Sequence, residues 1–250
     1  MIRLLALLLV LATGAAAEEK VVLGLSQDEV AITATFDGSD LLIFGAVKRE
    51  TPPPEGGPLE VVITVSGPLR PITVRRKEQR TVIWVNTDTV EVELAPTFYA
   101  VASSTVLTEA ISDLEDQRHR VSIPRAIWSV GDTVEDADAF IDALIRIQSE
   151  DGIYQRLDGA VAVDEQTLFR TRIALPANLT EGDYATRIFL TREGRVIDLY
   201  ETSIPVTKVG LEKFLYRLAY DRPLIYGLLS LAIAIAAGWA ASAVFRLFKS

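Results

Sequence analysis

The chain has 250 residues, 49% hydrophobic and 24% charged, with 25 Lys and Arg against 34 Asp and Glu, one His and no Cys. Without Cys there can be no disulfide scaffold, thiolate metal site, thiol nucleophile or acylated lipoprotein N-terminus, and a single His cannot build a multi-His zinc centre. A formal charge of −9 argues against nucleic-acid binding, which needs Lys and Arg in excess to displace counterions, while a mean hydropathy of +0.26 means that surplus apolar mass is concentrated somewhere.

The first concentration is at the N-terminus. Arg3, the apolar run Leu4 to Ala12 and the small residues Ala15 and Ala17 before Glu18 form the n-region, h-region and A-x-A site of a secretory signal peptide, predicted over 1–17. Export places the following region outside the cytoplasm.

Residues 18–100 are predicted to be a β-sandwich region. Val30 to Phe36, Leu59 to Val65 and Val90 to Leu94 alternate with period two and are rich in β-branched residues, and Leu41 to Val47 and Val82 to Val85 are shorter apolar runs. Asp37-Gly38, Ser66-Gly67-Pro68 and Asn86-Thr87-Asp88 read as turns, and the proline- and glycine-rich stretch 51–58 as an exposed connection.

The period changes to helical over 101–156. Val106, Leu107, Ala110, Ile111 and Leu114 share one helix face, with Ser103 or Ser104 as N-cap. Thr133 to Ser149 reads as a stronger helix, opened by the capping box of Thr133 and Asp136 and stopped at Gly152. Strands return over 157–209, at Leu168 to Leu175, Tyr184 to Thr191 and Arg195 to Thr202, with Arg192-Glu193-Gly194 closing a hairpin. This second β region either completes the first sandwich or forms another. The stretch Leu175 to Tyr184 looks like the late hairpin of immunoglobulin-like sandwiches. The fold class is therefore mainly β with a helical insertion and immunoglobulin-like sandwich elements, plus one C-terminal transmembrane helix.

That helix is predicted at 224–245, after a juxtamembrane segment 210–223 and before a cytoplasmic tail 246–250. Leu224 to Phe245 carries no charge, and its length as a helix is about 33 Å against a hydrocarbon core of about 30 Å. Lys208, Lys213, Arg217 and Arg222 precede it and only Arg246 and Lys249 follow, so local charge alone would invert the chain; a cleaved signal outweighs that bias. Six basic residues (Arg3, Lys213, Arg217, Arg222, Arg246, Lys249) and two acidic ones (Glu212, Asp221) belong to the ends, which leaves the exported part at about −13.

No catalytic, cofactor-binding or metal-ligating set emerges. His119 is the one neutral-pH base, but there is no G-x-S-x-G elbow, and its place after a helix is where cations offset the helix dipole. Asp132, Glu135, Asp136 and Asp138 lack the spacing of a calcium loop and suit the first turn of a helix. Asn178-Leu179-Thr180 is a sequon of consequence only in a eukaryote. Two features remain. Arg70, Arg75, Arg76, Lys77 and Arg80 form a basic patch on an acidic domain, able to take an anion or an acidic partner, or simply to guard an edge strand. Ser230, Ala234, Gly238 and Ser242 recur every fourth residue, the pattern of a membrane helix-packing face for another membrane protein or a second copy.

The layout resembles a family of alphaproteobacterial transmembrane proteins that has no established activity to transfer. The resemblance rests on Phe36-Asp37-Gly38-Ser39 with Phe44-Gly45-Ala46, on Ser66-Gly67-Pro68 with Val74-Arg75-Arg76-Lys77-Glu78, on Ile83-Trp84-Val85-Asn86 and on Pro96-Thr97-Phe98-Tyr99-Ala100. It implies a Gram-negative inner membrane and a periplasmic domain, and a gene that neighbours one for a permease of the sulfite-exporter type. The function expected is a non-enzymatic, membrane-anchored accessory or assembly domain for an inner-membrane protein such as a transporter. An anion-binding module using the Arg75–Arg80 patch and a carboxylate-pair hydrolase are the alternatives.

Overall fold

The computed structural model describes residues 19–25, 29–32, 38–49, 57–80, 82–128, 137–208 and 211–247, without the side chains of 78, 80, 137, 208, 211–214, 217, 240 and 242–247. The expected signal peptide at 1–17 lies outside the described residues, as do Asp132, Thr133, Glu135 and Asp136. The chain forms twelve described strands: β1 Lys20–Leu25, β2 Val30–Ile32, β3 Ser39–Lys48, β4 Leu59–Ser66, β5 Leu69–Arg80, β6 Ile83–Pro96, β7 Tyr99–Ser103, β8 Tyr154–Leu157, β9 Ala162–Asp164, β10 Leu168–Leu175, β11 Gly182–Arg192 and β12 Arg195–Lys208.

Alternation in the sequence becomes alternation in burial. In β10 every second side chain (Phe169, Thr171, Ile173, Leu175) is buried, because one face of its sheet packs and the other meets water. This sheet, ordered β1-β3-β10-β9, faces a second one ordered β2-β12-β11-β4-β7-β8. Between them lies the main core, with Leu41, Ile43, Phe169 and Ile173 on one side and Val61, Ile63, Ile188 and Leu190 on the other. Each such side chain contributes about 1.5–3 kcal/mol on leaving water. Gly45 belongs to this packing: a Cβ there would lie 2.4 Å from the Phe169 ring and 2.7 Å from the Val22 carbonyl.

Strands from before and after the helical segment share both sheets, since β3 pairs with β10 and β4 with β11. The two β regions therefore make one sandwich. Its second sheet is covered on the outside as well, where Val62, Tyr99, Val101 and Phe189 meet α1 (Leu107–Ala110), α3 (Ile123–Ala126) and α4 (Ala137–Glu150) in a second core. Burial on both faces overrides the period-two alternation expected for Leu59 to Val65, since nearly every side chain of β4 is buried, and it accounts for the wholly buried β7, a strand the sequence did not predict.

Several expectations need correction. The single helix expected around Val106–Leu114 is two, α1 and α2 (Asp113–His119), broken at Ile111-Ser112, where Ser112 caps α2. Neither Ser103 nor Ser104 caps α1, because Ser103 belongs to β7 and the Ser104 hydroxyl accepts from Val61 N–H instead. Asn86-Thr87-Asp88 does not end a strand. It is absorbed as a bulge opposite Arg76 and Lys77, and β6 continues through it. Glu193-Gly194 does close the β11–β12 hairpin, with φ of 51° and 75°, and Gly152 stops α4 at φ 69°.

After β12 come α5 (Leu211–Asp221) and α6 (Pro223–Leu247). The predicted transmembrane segment 224–245 is thus helical. Even so, among the described residues no helix is long and apolar enough to cross a membrane. A membrane span therefore does not count among the observed features.

Candidate functional site

The basic patch is carried by β5, which among the described residues pairs with β6 alone, in a two-stranded ribbon. Ile72 and Val74 turn toward the second core, and Arg76, two steps further along the same face, lays its guanidinium 4.6 Å from the Phe140 ring and 3.9 Å from the Asp88 carboxylate. Thr73, Arg75 and Lys77 take the opposite, exposed face, and Arg70 stands at the ribbon's base; the Arg80 side chain lies outside the described residues. From Arg70 to Arg80 an extended strand covers about 33 Å. The patch is a basic ribbon, not a pocket in which cations converge on one anion.

A different place has the form of a pocket. Gln117, Arg120, Pro124, Arg125, Ile127 and Trp128 line an open groove of about 410 Å³. Arg120, in the left-handed conformation at φ 52°, ends α2 and holds its guanidinium 3.6 Å from the centre of the Trp128 indole. Trp128 is fixed in turn through its backbone, which exchanges hydrogen bonds with Leu94 at 2.8 and 3.3 Å. Arg125 is committed to Asp113 at 2.7 Å and Asp116 at 3.1 Å. The second Asp116 oxygen accepts from the N–H groups of Val121 and Ser122 and so holds the corner after α2. Among the described residues no ion pair engages the Arg120 guanidinium, and a cation stacked in this way keeps an edge that can bind a carboxylate or phosphate, with the indole as an apolar platform.

That corner is secured from beneath by the sheet. The Tyr99 hydroxyl donates to the Val121 carbonyl at 2.7 Å, and Arg187 donates to the carbonyls of His119 at 2.7 Å and Arg120 at 3.1 Å. Burial pushes the Tyr99 phenol up to about 12, partly opposed by the Arg187 charge. Burial also raises Tyr154, whose hydroxyl donates to the Pro96 carbonyl at 2.9 Å. A group raised in the folded state stabilises below its unfolded value near 10 and loses that contribution as pH climbs through the folded one. Unfolding should therefore become easier between about pH 10 and 12, by on the order of 2–3 kcal/mol from Tyr99. Tyr99→Phe should remove this share of the alkaline transition while costing about 1 kcal/mol at neutral pH, measured by denaturant titration at both pH values.

His119 is placed as its sequence position suggests, in the last turn of α2. Its Nε2 lies 3.4 Å from Glu115 and its ring meets Phe189 edge-on at 5.5 Å. Of the acidic cluster only Asp138 is described, in the first turn of α4. Among the described residues no group of three or more acidic and His side chains is arranged to hold a metal. The Arg120–Trp128 stack was not singled out in the sequence, since seven residues that carry no motif separate its members.

A buried cluster was equally hidden. Glu19, immediately before β1, receives both Arg49 and Arg192, the latter at 3.2 Å, and its side chain is 3% exposed. The helix face proposed for packing is described in part. Ser230 donates to the Tyr226 carbonyl at 2.9 Å, nothing lies within 4 Å of where a Cβ on Gly238 would stand, and the Ser242 side chain is outside the described residues.

Comparison with known families decides membership. The profile of a family described as "Putative transmembrane protein (Alph_Pro_TM)" matches residues 20–247, nearly the whole chain. The chain belongs to this family. No curated protein matches. Among solved structures, the Alph_Pro_TM chain is similar to one titled "Crystal structure of BslA - A bacterial hydrophobin", at 12% identity over 78% of this chain and 97% of that one, with a TM-score of 0.21. A score so low carries no argument about fold or function. What membership adds is the description of the family as transmembrane, over a match that includes both the sandwich and α6.

Proposed function

We propose that the chain is a membrane-anchored, non-catalytic periplasmic domain, held by segment 224–245, that serves as an accessory or assembly partner of an inner-membrane protein of the transporter class. The observation that carries this reading is the surface of α6. Leu224, Leu228, Leu231, Ile235 and Trp239 lie on one side of the helix, Ile225, Leu229 and Ile233 carry the apolar surface round to the other, and all are exposed, from 40% to 83%. A helix apolar all round needs lipid or other helices about it. The uncharged run Leu224–Phe245 and the family's transmembrane description agree with that need. Orientation follows from the signal sequence expected at 1–17, which sends the acidic sandwich across the membrane ahead of the helix.

Partner contact is assigned to the face of Ser230, Ala234, Gly238 and Ser242, because small side chains let a second helix approach closely. The Ser230 hydroxyl, bonded back to Tyr226, presents no unmet donor to an apolar surrounding. Purification from native membranes in mild detergent tests the reading. A membrane protein should co-purify with the wild-type chain and be lost with Gly238→Leu, which places a branched side chain on that face. No co-purifying membrane protein in either case would overturn the partner role. Self-association of the purified chain, equally lost in Gly238→Leu, would identify a second copy of the chain as the partner and remove the transporter from the proposal.

A further inference from the structure

The end of the β5–β6 ribbon exposes Val82, Ile83 and Trp84 at 81%, 65% and 66%. Three consecutive large apolar side chains in water are uncommon on a soluble surface and mark a contact site. Successive residues of a strand point to opposite faces, so Ile83 and Trp84 make both faces of the tip apolar. A protein surface covers one face of a ribbon, whereas a fluid medium surrounds both. The tip is also thin, two strands without a third among the described residues to support it.

Cations lie just behind it. Gln79 pairs with Trp84 and Lys77 with Asn86, so Lys77 stands two residue steps, about 7 Å, behind the indole, and Arg75 follows on the same exposed face. The segment 75–88 holds Arg75, Arg76, Lys77 and Arg80 against Glu78 and Asp88, a positive excess on an otherwise acidic domain. Apolar groups buried about 5–10 Å into the boundary of a bilayer, with Trp at the interface and Lys or Arg at the level of the headgroups, describe an interfacial anchor.

We infer that the β5–β6 ribbon is a membrane-docking finger whose tip, Val82 to Trp84, enters the interfacial layer of an anionic phospholipid bilayer while Arg75 and Lys77 meet the headgroups. The negative remainder of the domain is repelled by the same surface, which leaves the ribbon as its point of contact. The ribbon thus gives the basic patch a ligand that suits its length: a sheet of phosphates, not one anion.

The absence of Cys allows a direct test. Val82→Cys in the full chain, at a position too exposed to matter for folding, is labelled with a polarity-sensitive fluorophore and reconstituted into phosphatidylcholine vesicles with or without about 30% phosphatidylglycerol. The fluorophore should shift to the blue and be quenched by bromine-labelled acyl chains in the anionic vesicles only. Arg75→Gln with Lys77→Gln should lower the ratio of inserted to free tip about thirty-fold. Salt near 0.5 M, where the screening length falls to about 4 Å, should lower it in the unsubstituted ribbon and so gives the same reading without a folding question. A tip unquenched in both lipids and open to aqueous iodide would overturn the inference, as would equal quenching with and without phosphatidylglycerol. A tip shielded from iodide but untouched by brominated lipid would also overturn it and assign the tip to a protein contact.

Discussion

Replacing Glu19 by Ala should destabilise the domain by about 3–5 kcal/mol, a large share of the stability of any single domain. The reason is what stays behind. The side chains of Arg49 and Arg192 are only 9% and 10% exposed, and both face the Glu19 carboxylate. Removing the anion leaves two cations with little water to solvate them. Arg192 is poorly placed to recover, since its Nε already has no hydrogen-bond partner in the described structure. Glu19→Ala combined with Arg192→Met should cost less than Glu19→Ala alone, a non-additivity that isolates the stranded charge from simple loss of packing. Urea titration of the detergent-solubilised full chain measures both variants, and an unchanged midpoint for Glu19→Ala would show that the cluster is solvated. The position has a consequence for export. Cleavage after Ala17 would make Glu19 the second residue of the mature chain, so this carboxylate ties down an end that otherwise frays and sets β1 against β3.

How much of this was legible in the sequence depends on how far apart the interacting residues are. The strand expected at Leu168–Leu175 is β10 and the hairpin expected at Glu193-Gly194 joins β11 to β12, because both signals are local. Tyr184 gave its turn away for the same reason, four residues from the Thr180 carbonyl to which its hydroxyl donates. Asn86-Thr87-Asp88 misled, since the residues that favour a turn also suit a bulge, and only pairing with Arg76 and Lys77 distinguishes the two. The break at Ile111-Ser112 was invisible for a related reason: Ile111 continues the helical stripe, but its burial in the second core and the capping by Ser112 divide it. Glu19 and Arg192 are 173 residues apart, and no pattern joins them before β1 and β11 are placed. The basic patch was seen as composition. Its shape, a ribbon with one face turned to Phe140 and Asp88 and the other to water, required the pairing of β5 with β6.

The second large effect concerns the proposed anchor. Arg in the middle of a membrane helix costs about 2.5–3.5 kcal/mol, so Leu231→Arg with Ile235→Arg should oppose insertion by about 5–7 kcal/mol. Both side chains are exposed on α6, so within the domain itself the pair of substitutions removes no core contact. The sandwich should remain folded while the chain leaves the membrane. A domain held only by its surface would respond differently, because nothing in α6 would then govern its retention. The measurement that tests anchoring most directly is alkaline carbonate extraction of membranes containing the full chain, with the doubly substituted chain beside it. The account predicts that the unsubstituted chain stays in the pellet and the Leu231→Arg, Ile235→Arg chain is released; release of the unsubstituted chain would contradict it.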